Sequence, residues 1–214
     1  SGPTHAMTGI VGREPEIARI REWIGGGEAV TLVIDGAAGV GKTTVLGAAL
    51  AVLGDGARQV LSTSPTEAES RLSYSGLSDL LSPHIDTIRS FLPRPQVRAL
   101  AVAMRLEDPA DQPADETAVA RGFLEALRAL ARGRSVLVAI DDLMWLDAPS
   151  LAAVLYAARR VESSDRVRIL ATHRAGTPEP DGLDQPGRVM RLPLGPLSLG
   201  GLHRVLRLHA GLSL

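Results

Sequence analysis

Gly36-Ala37-Ala38-Gly39-Val40-Gly41-Lys42-Thr43-Thr44 follows the apolar run from Ala29 to Asp35 and leads into TTVLGAALAVL, and this order of strand, tight loop and helix decides the fold. Gly36, Gly41, Lys42 and Thr43 meet the pattern G-x-x-x-x-G-K-[ST] in register. Chance produces that pattern in roughly one chain in a hundred of this length. Glycines let the backbone from Gly36 through Ala37, Ala38, Gly39 and Val40 to Gly41 wrap with its N–H groups turned inward. A phosphate chain can then be held by main-chain dipoles and by the N-terminus of the next helix. In that arrangement Lys42 reaches the β and γ phosphates as a point charge and the Thr43 hydroxyl ligates Mg²⁺. Thr44 either touches the α-phosphate or closes the first helical turn. The bland alternative is a glycine-rich turn without a ligand.

Outward from this loop, apolar strands alternate with helical patterns. REPEIARIREWI, from Arg13, spaces Ile17, Ile20, Trp23 and Ile24 as one helical face and stops at Gly25 to Gly27. The helix after the loop stops at Gly54, and a second strand runs from Arg58 to Ser62. GLSDLLSPHIDTIRSFL and PQVRALAVAMRL are helical stretches broken by Pro83, Pro93 and Pro95, and Glu107 to Asp115 is an acidic, proline-rich loop. Val119, Phe123, Leu127 and Leu130 line the next helix. SVLVAIDD is read as a strand from Ser135 to Asp142, APSLAAVLYAARRV as a helix, VRILATHR as a strand ending in Arg174, and RVMRLPL as a fifth strand before a last helix. Such alternation gives a mostly parallel sheet covered on both faces, with ligands outside the carboxyl ends of the strands.

At two of those ends stand further candidates. Asp141 and Asp142 close an apolar strand, which suits one carboxylate for the Mg²⁺ shell and a second that orients or deprotonates a water. The alternative is an ordinary acidic turn. Asp147, just before Ala148 and Pro149, reads first as a helix N-cap, and Trp145 as packed against the sheet. Arg174 is either a γ-phosphate sensor or one of 22 arginines spread over the surface. His173 reads as a strand-end filler.

Composition narrows the function classes. The 214 residues carry a formal charge of −1 and no cysteine. An overall basic field for nucleic acid is therefore missing, so direct nucleic-acid contact by this chain is not expected, and disulfides and thiolate metal sites are excluded. Apolar stretches such as Ser150 to Ala158 fall short of the ~20 residues of a membrane helix, and the expectation is a soluble, cytoplasmic protein. Residues 1–7, SGPTHAM, read as a cloning remnant, leaving 8–214 as the domain. Lys42 is the single lysine among 23 basic residues. It stands where a forked guanidinium replaces a compact ammonium poorly.

IVGREPEIARI, GAAGVGKTT, RLSYSGLSDLL, VLVAIDDLMWLDAPS, ATHRAG and LPLGPLSLGGLHRVL occur in that order. Together they resemble the ATPase domain of the large ATP-binding LuxR-type transcriptional regulators, in the STAND class of AAA-like signalling NTPases. The resemblance spans Gly9 to Leu214. It implies a P-loop NTPase α/β/α sandwich with a mostly parallel five-stranded sheet of additional-strand, AAA-like topology, the Arg174 strand lying between the P-loop strand and the Asp141 strand. It also implies ATP/ADP and Mg²⁺ as cofactors, Arg174 as γ-phosphate sensor, Val11 near the adenine and Arg13 facing base or phosphate. Where many AAA ATPases have Asp-Glu this chain has Asp141-Asp142, which puts a shorter carboxylate farther from the water and implies slow turnover. The helical lid, winged-helix region, sensor repeats and DNA-binding helix-turn-helix of that family have no counterpart in these residues. The expectation is a fragment of a longer regulator, with DNA binding placed in a further C-terminal domain.

Three functions compete at this point. The leading one is a nucleotide switch with weak Mg²⁺-dependent ATPase activity, in which ATP favours one arrangement, hydrolysis resets it and the domain self-associates. A P-loop kinase for a small molecule and an interaction scaffold that holds nucleotide without turnover are the others. Product analysis separates the kinase, and Asp142→Ala the scaffold.

Overall fold

The computed structural model describes residues 12–53, 56, 58–109, 115–201, 203 and 204. The expectations for residues 1–7, Val11, Gly54 and the middle of the acidic loop fall outside these. The first helix among the described residues is α1 (Glu14–Gly26). Strand β1 (Thr31–Gly36), helix α2 (Lys42–Leu53) and strand β2 (Arg58–Thr63) follow. Four helices come next: α3 (Ser75–Leu81), α4 (Ile85–Phe91), α5 (Arg94–Ala103) and α6 (Glu116–Ala131). Strand β3 (Ser135–Ile140), helix α7 (Ala148–Ala158), strand β4 (Val167–Arg174) and strand β5 (Val189–Leu194) follow. Residues 199–201, 203 and 204 are helical.

All strand pairs are parallel, in the order β2-β3-β4-β1-β5. The Arg174 strand therefore lies between the P-loop strand and the Asp141 strand, as the resemblance implied. A parallel sheet needs both faces covered, which is why its strands read as near-continuous apolar runs. One face is packed by α1 and α2: Ile17, Ile20 and Trp23 meet Val45, Ala49 and the sheet residues Leu32, Ile34, Leu170 and Leu192. The other carries α3 to α7, with Leu77, Leu100, Phe123, Leu127 and Val154 against Val33, Val138, Ile140 and Ile169. Each large side chain fully buried this way stabilises the fold by about 1.5–3 kcal/mol.

Several boundaries differ from the sequence reading. Pro95 does not break a helix; it sits in the first turn of α5, where no N–H is required. The first helix runs through Gly25 and Gly26 and ends at Gly27. The strand expected to include Asp141 and Asp142 stops at Ile140. Asp142 takes a left-handed conformation, φ 62°, and turns the chain into the 3-10 turn Leu143–Trp145. Trp145 is half-buried and belongs to neither core cluster.

Candidate functional site

β1 delivers Gly36 to the site. A Cβ on this residue would lie 2.7 Å from Val40 Cγ1 and 2.9 Å from the Leu194 carbonyl oxygen, so only glycine fits between the loop and the end of β5. Gly41 has φ +99°, which a side chain would resist. Lys42 opens α2, and its Nζ donates to the carbonyls of Gly36 and Ala37, both at 2.9 Å. Thr43 and Thr44 are exposed in the first turn, as are Ala37, Ala38 and Gly39 in the loop. N–H groups in the first turn of a helix lack intrahelical acceptors and carry the positive end of its dipole. An exposed loop, a helix N-terminus and an ammonium thus converge on one patch suited to phosphate.

The end of β3 supplies the acids. Asp141 N–H donates to the Thr63 carbonyl at 3.0 Å, which fixes its backbone beside β2. Thr172, wholly buried on β4, donates its hydroxyl to Asp141 Oδ1 at 2.7 Å and accepts the Asp142 N–H at 2.7 Å. One hydroxyl therefore orients both aspartates. Asp142 combines its positive φ with a buried Oδ1 that has no hydrogen-bond partner among the described residues. Backbone strain and an unsatisfied carboxylate oxygen both cost stability, and they coincide here on one residue.

Five residues on, Asp147 is the opposite case. It caps α7 through the Ser150 N–H at 3.0 Å, as the N-cap reading had it. The same carboxylate also accepts from Tyr74 N–H, the Ser75 hydroxyl and Gly76 N–H at 2.7, 3.2 and 3.0 Å. Ser150 adds its hydroxyl to the Leu77 N–H at 2.9 Å. Helix α3 has no side-chain cap of its own, so α7 caps it across the fold. Burial, together with the charges of Glu116, Asp147 and Asp115, pushes the Tyr74 phenol up.

Arg174 is exposed at the end of β4, with its Cα in register with Gly36. Ala175 N–H donates to the Gly36 carbonyl at 3.1 Å, which joins the two strand ends. His173 fills the strand end: its Nδ1 lies 3.1 Å from Asp35 Oδ1, and Nε2 faces the Thr177 hydroxyl at 3.2 Å. Arg191 forks onto both Asp35 oxygens and pairs with Glu179. Arg13 is buried, with Nη2 on the carbonyls of Val40 and Gly195 and Nη1 on Glu16. The structure thus gathers the loop, Asp141, Asp142 and Arg174 at neighbouring strand ends, while Val11 lies outside the described residues.

A comparison with protein families matches residues 9–170 to the AAA ATPase domain. The chain belongs to the AAA ATPase family. No curated protein matches it. For an AAA ATPase domain, the five-stranded parallel sheet and the loop at β1 form the expected P-loop NTPase fold, and membership implies nucleotide binding and hydrolysis. Among the described residues no helix is long and apolar enough to cross a membrane, and no cluster of three or more His, Asp or Glu side chains could hold a metal by itself. The donor set nevertheless fits Mg²⁺ bound together with phosphates, since hard oxygen donors in small number are what that ion takes beside a nucleotide. Asp141 Oδ1 is held by Thr172, and among the described residues no protein donor takes Oδ2.

Sequence reasoning assigned no role to Thr172 or Thr63 in this ATPase domain. The available signal was a threonine two positions before Arg174, directly after the apolar run Ile169–Leu170–Ala171. Apolar neighbours on such a strand imply that its hydroxyl is buried and must find a partner.

Proposed function

We propose that this chain is the ATP-binding, slowly hydrolysing switch domain of a LuxR-type transcriptional regulator, its nucleotide state controlling activation or self-association. The observation that carries the reading is the register of Gly36 with Arg174 across β1 and β4. That pairing supports a role for the exposed Arg174 in reading the γ-phosphate, where differential contact can distinguish ATP from ADP.

In this reading the backbone from Gly36 to Thr44 wraps the phosphates, Lys42 lies along them, and Arg174 reads the terminal group. The Thr43 hydroxyl and Asp141 would hold Mg²⁺, which supplies neutralisation of the phosphate charge when bound. Asp142 orients or deprotonates the attacking water from its place at the end of β3, one residue after Asp141. Being one methylene shorter than glutamate, it keeps turnover slow. DNA contact belongs to another domain in this reading, because the chain is not basic.

Isothermal titration with ATP and ADP tests the reading. Lys42→Ala should weaken binding by roughly 10- to 100-fold through loss of charge-assisted contacts, with thermal unfolding unchanged. Absence of binding by either nucleotide to the wild type overturns the proposal. Product analysis separates it from a kinase, which places phosphate only on an acceptor other than water.

A further inference from the structure

Arg13 occupies an unusual place for a charged side chain. It precedes α1, is 6% exposed, and directs its guanidinium at two main-chain carbonyls far apart in sequence, Val40 O at 2.9 Å and Gly195 O at 2.8 Å. Glu16 takes its other terminal nitrogen at 3.1 Å and balances the charge. We propose that Arg13 is a positioning residue that aims the Gly41 N–H into the phosphate loop and fastens that loop to the chain leaving β5. Nucleotide binding and the placement of residues 195–204 are then coupled through one guanidinium. The inference rests on the nucleotide-binding reading above.

Peptide geometry gives the first half. The Val40 carbonyl and the Gly41 N–H share one planar unit, and the described residues contain no cis peptide. In a trans unit the two groups point in opposite directions. Holding the carbonyl on Arg13 therefore turns the Gly41 N–H away from Arg13. Gly41, at φ +99°, has no side chain to set that plane, so an external hold determines it. An N–H aimed in advance binds an anion with less reorganisation than one that must turn.

Packing gives the second half. Gly195 directly follows β5, whose last residue, Leu194, is in register with Gly36 of the loop. Two further contacts join the same segments. A Cβ on Gly12, at φ +84°, would lie 3.0 Å from Gly201 Cα and 3.1 Å from Leu197 Cδ2, so the backbones touch there. Glu14 pairs with Arg204 at 3.6 Å. Residues 12–14 thus meet Gly195, Leu197, Gly201 and Arg204 while Arg13 also reaches the loop. By linkage, a nucleotide that favours the held Val40–Gly41 peptide favours the docked 195–204 segment, and displacing that segment weakens nucleotide binding by the same factor.

Hydrogen exchange with ADP titration on wild type and Arg13→Lys tests this. Lysine keeps the charge and the pairing with Glu16 but lacks the planar fork. The variant should bind ADP about tenfold more weakly. ADP should protect both 36–44 and 195–201 in the wild type, and several-fold less at 195–201 in the variant. Gly12→Ala, which leaves the guanidinium in place and loosens the contact with Gly201, should also reduce both protection at 195–201 and affinity. It decides the question if Arg13→Lys does not fold. Unchanged ADP affinity in Arg13→Lys, or wild-type protection confined to 36–44, overturns the coupling and leaves the nucleotide reading standing. Failure of the wild type to bind nucleotide removes both.

Discussion

Asp142 and Asp147 are five residues apart on the same connection between β3 and α7, and their environments are opposite. Asp147 is 1% exposed and accepts four hydrogen bonds, from Tyr74, Ser75, Gly76 and Ser150. Asp142 stands at positive φ with a buried oxygen that no described residue bonds. A carboxylate whose lone pairs are used up by three main-chain N–H groups and a hydroxyl holds structure and has little capacity left for a ligand. One held in strain with a lone pair unused lowers the stability of the fold, and the surrounding structure sustains it through the Thr172 hydroxyl on its N–H. In the proposed reading, the difference separates scaffold from chemistry within a single turn of chain.

The comparison is broken most severely at its structural end. Asp147→Ala leaves the N–H groups of Tyr74, Gly76 and Ser150 without their acceptor and uncaps two helices together. A loss of about 3–5 kcal/mol is expected in urea denaturation. A loss below about 1 kcal/mol would mean that water replaces the carboxylate and that the cross-cap contributes little.

Asp142→Ala tests the other end. Hydrolysis should fall by about 10²-fold with nucleotide affinity retained, which single-turnover phosphate release alongside titration would show. Stability should hold. Asp142→Gly, which relieves the left-handed strain, should raise the urea midpoint by an amount equivalent to about 0.5–1 kcal/mol. A stability loss in both variants would place Asp142 with Asp147 as a structural acid.

Thr172 belongs to both sides, and its effect is expected to be intermediate. Thr172→Val fills the same space but leaves the Asp142 N–H and Asp141 Oδ1 without the hydroxyl. A cost of about 2 kcal/mol is expected, together with reduced hydrolysis. Thr172→Ser should restore both measurements, because the hydroxyl and not the methyl makes the contacts. A serine variant as impaired as valine would show that packing of the methyl dominates.

Local signals carried most of what the sequence disclosed. The loop Gly36 to Thr44, the apolar strands and the Asp141-Asp142 pair are each contiguous, so their chemistry is written in spacing along one segment. Asp147 as an N-cap was legible for the same reason, since Ala148 and Pro149 follow it. Its second role was not, because Gly76 lies 71 residues away and no periodicity relates the two. Arg13 shows this more strongly, with its carbonyl acceptors 27 and 182 residues distant. Strand order became legible only through the resemblance to a family, since a strand's own residues do not state which neighbours it pairs with. The end of β3 was misjudged because Asp141 and Asp142 continue the strand in sequence, while left-handed geometry at Asp142 ends it in space.

The smallest expected effect sharpens the structural side by titration. Burial pushes His84, at the junction of α3 and α4, down from its ordinary value. Its Nδ1 lies 3.0 Å from Gln59 Nε2, an amide donor that suits a neutral ring. The folded protein therefore binds the His84 proton less readily than the unfolded chain does. Stability from this group is complete above the unfolded value of about 6.5 and declines as pH falls through it toward the lowered folded value. Glu14, held down by backbone hydrogen bonds, and Glu69, held down by the Thr66 hydroxyl and N–H, act at lower pH. Their contributions are present above the ordinary carboxylate range and are lost as pH falls through it. Urea midpoints at pH 7.5 and 5.5 should thus show a modest decline in the wild type that His84→Gln removes, while the loss near pH 4 persists in both. An equal decline in His84→Gln would assign the slope to other groups and leave the imidazole as packing alone.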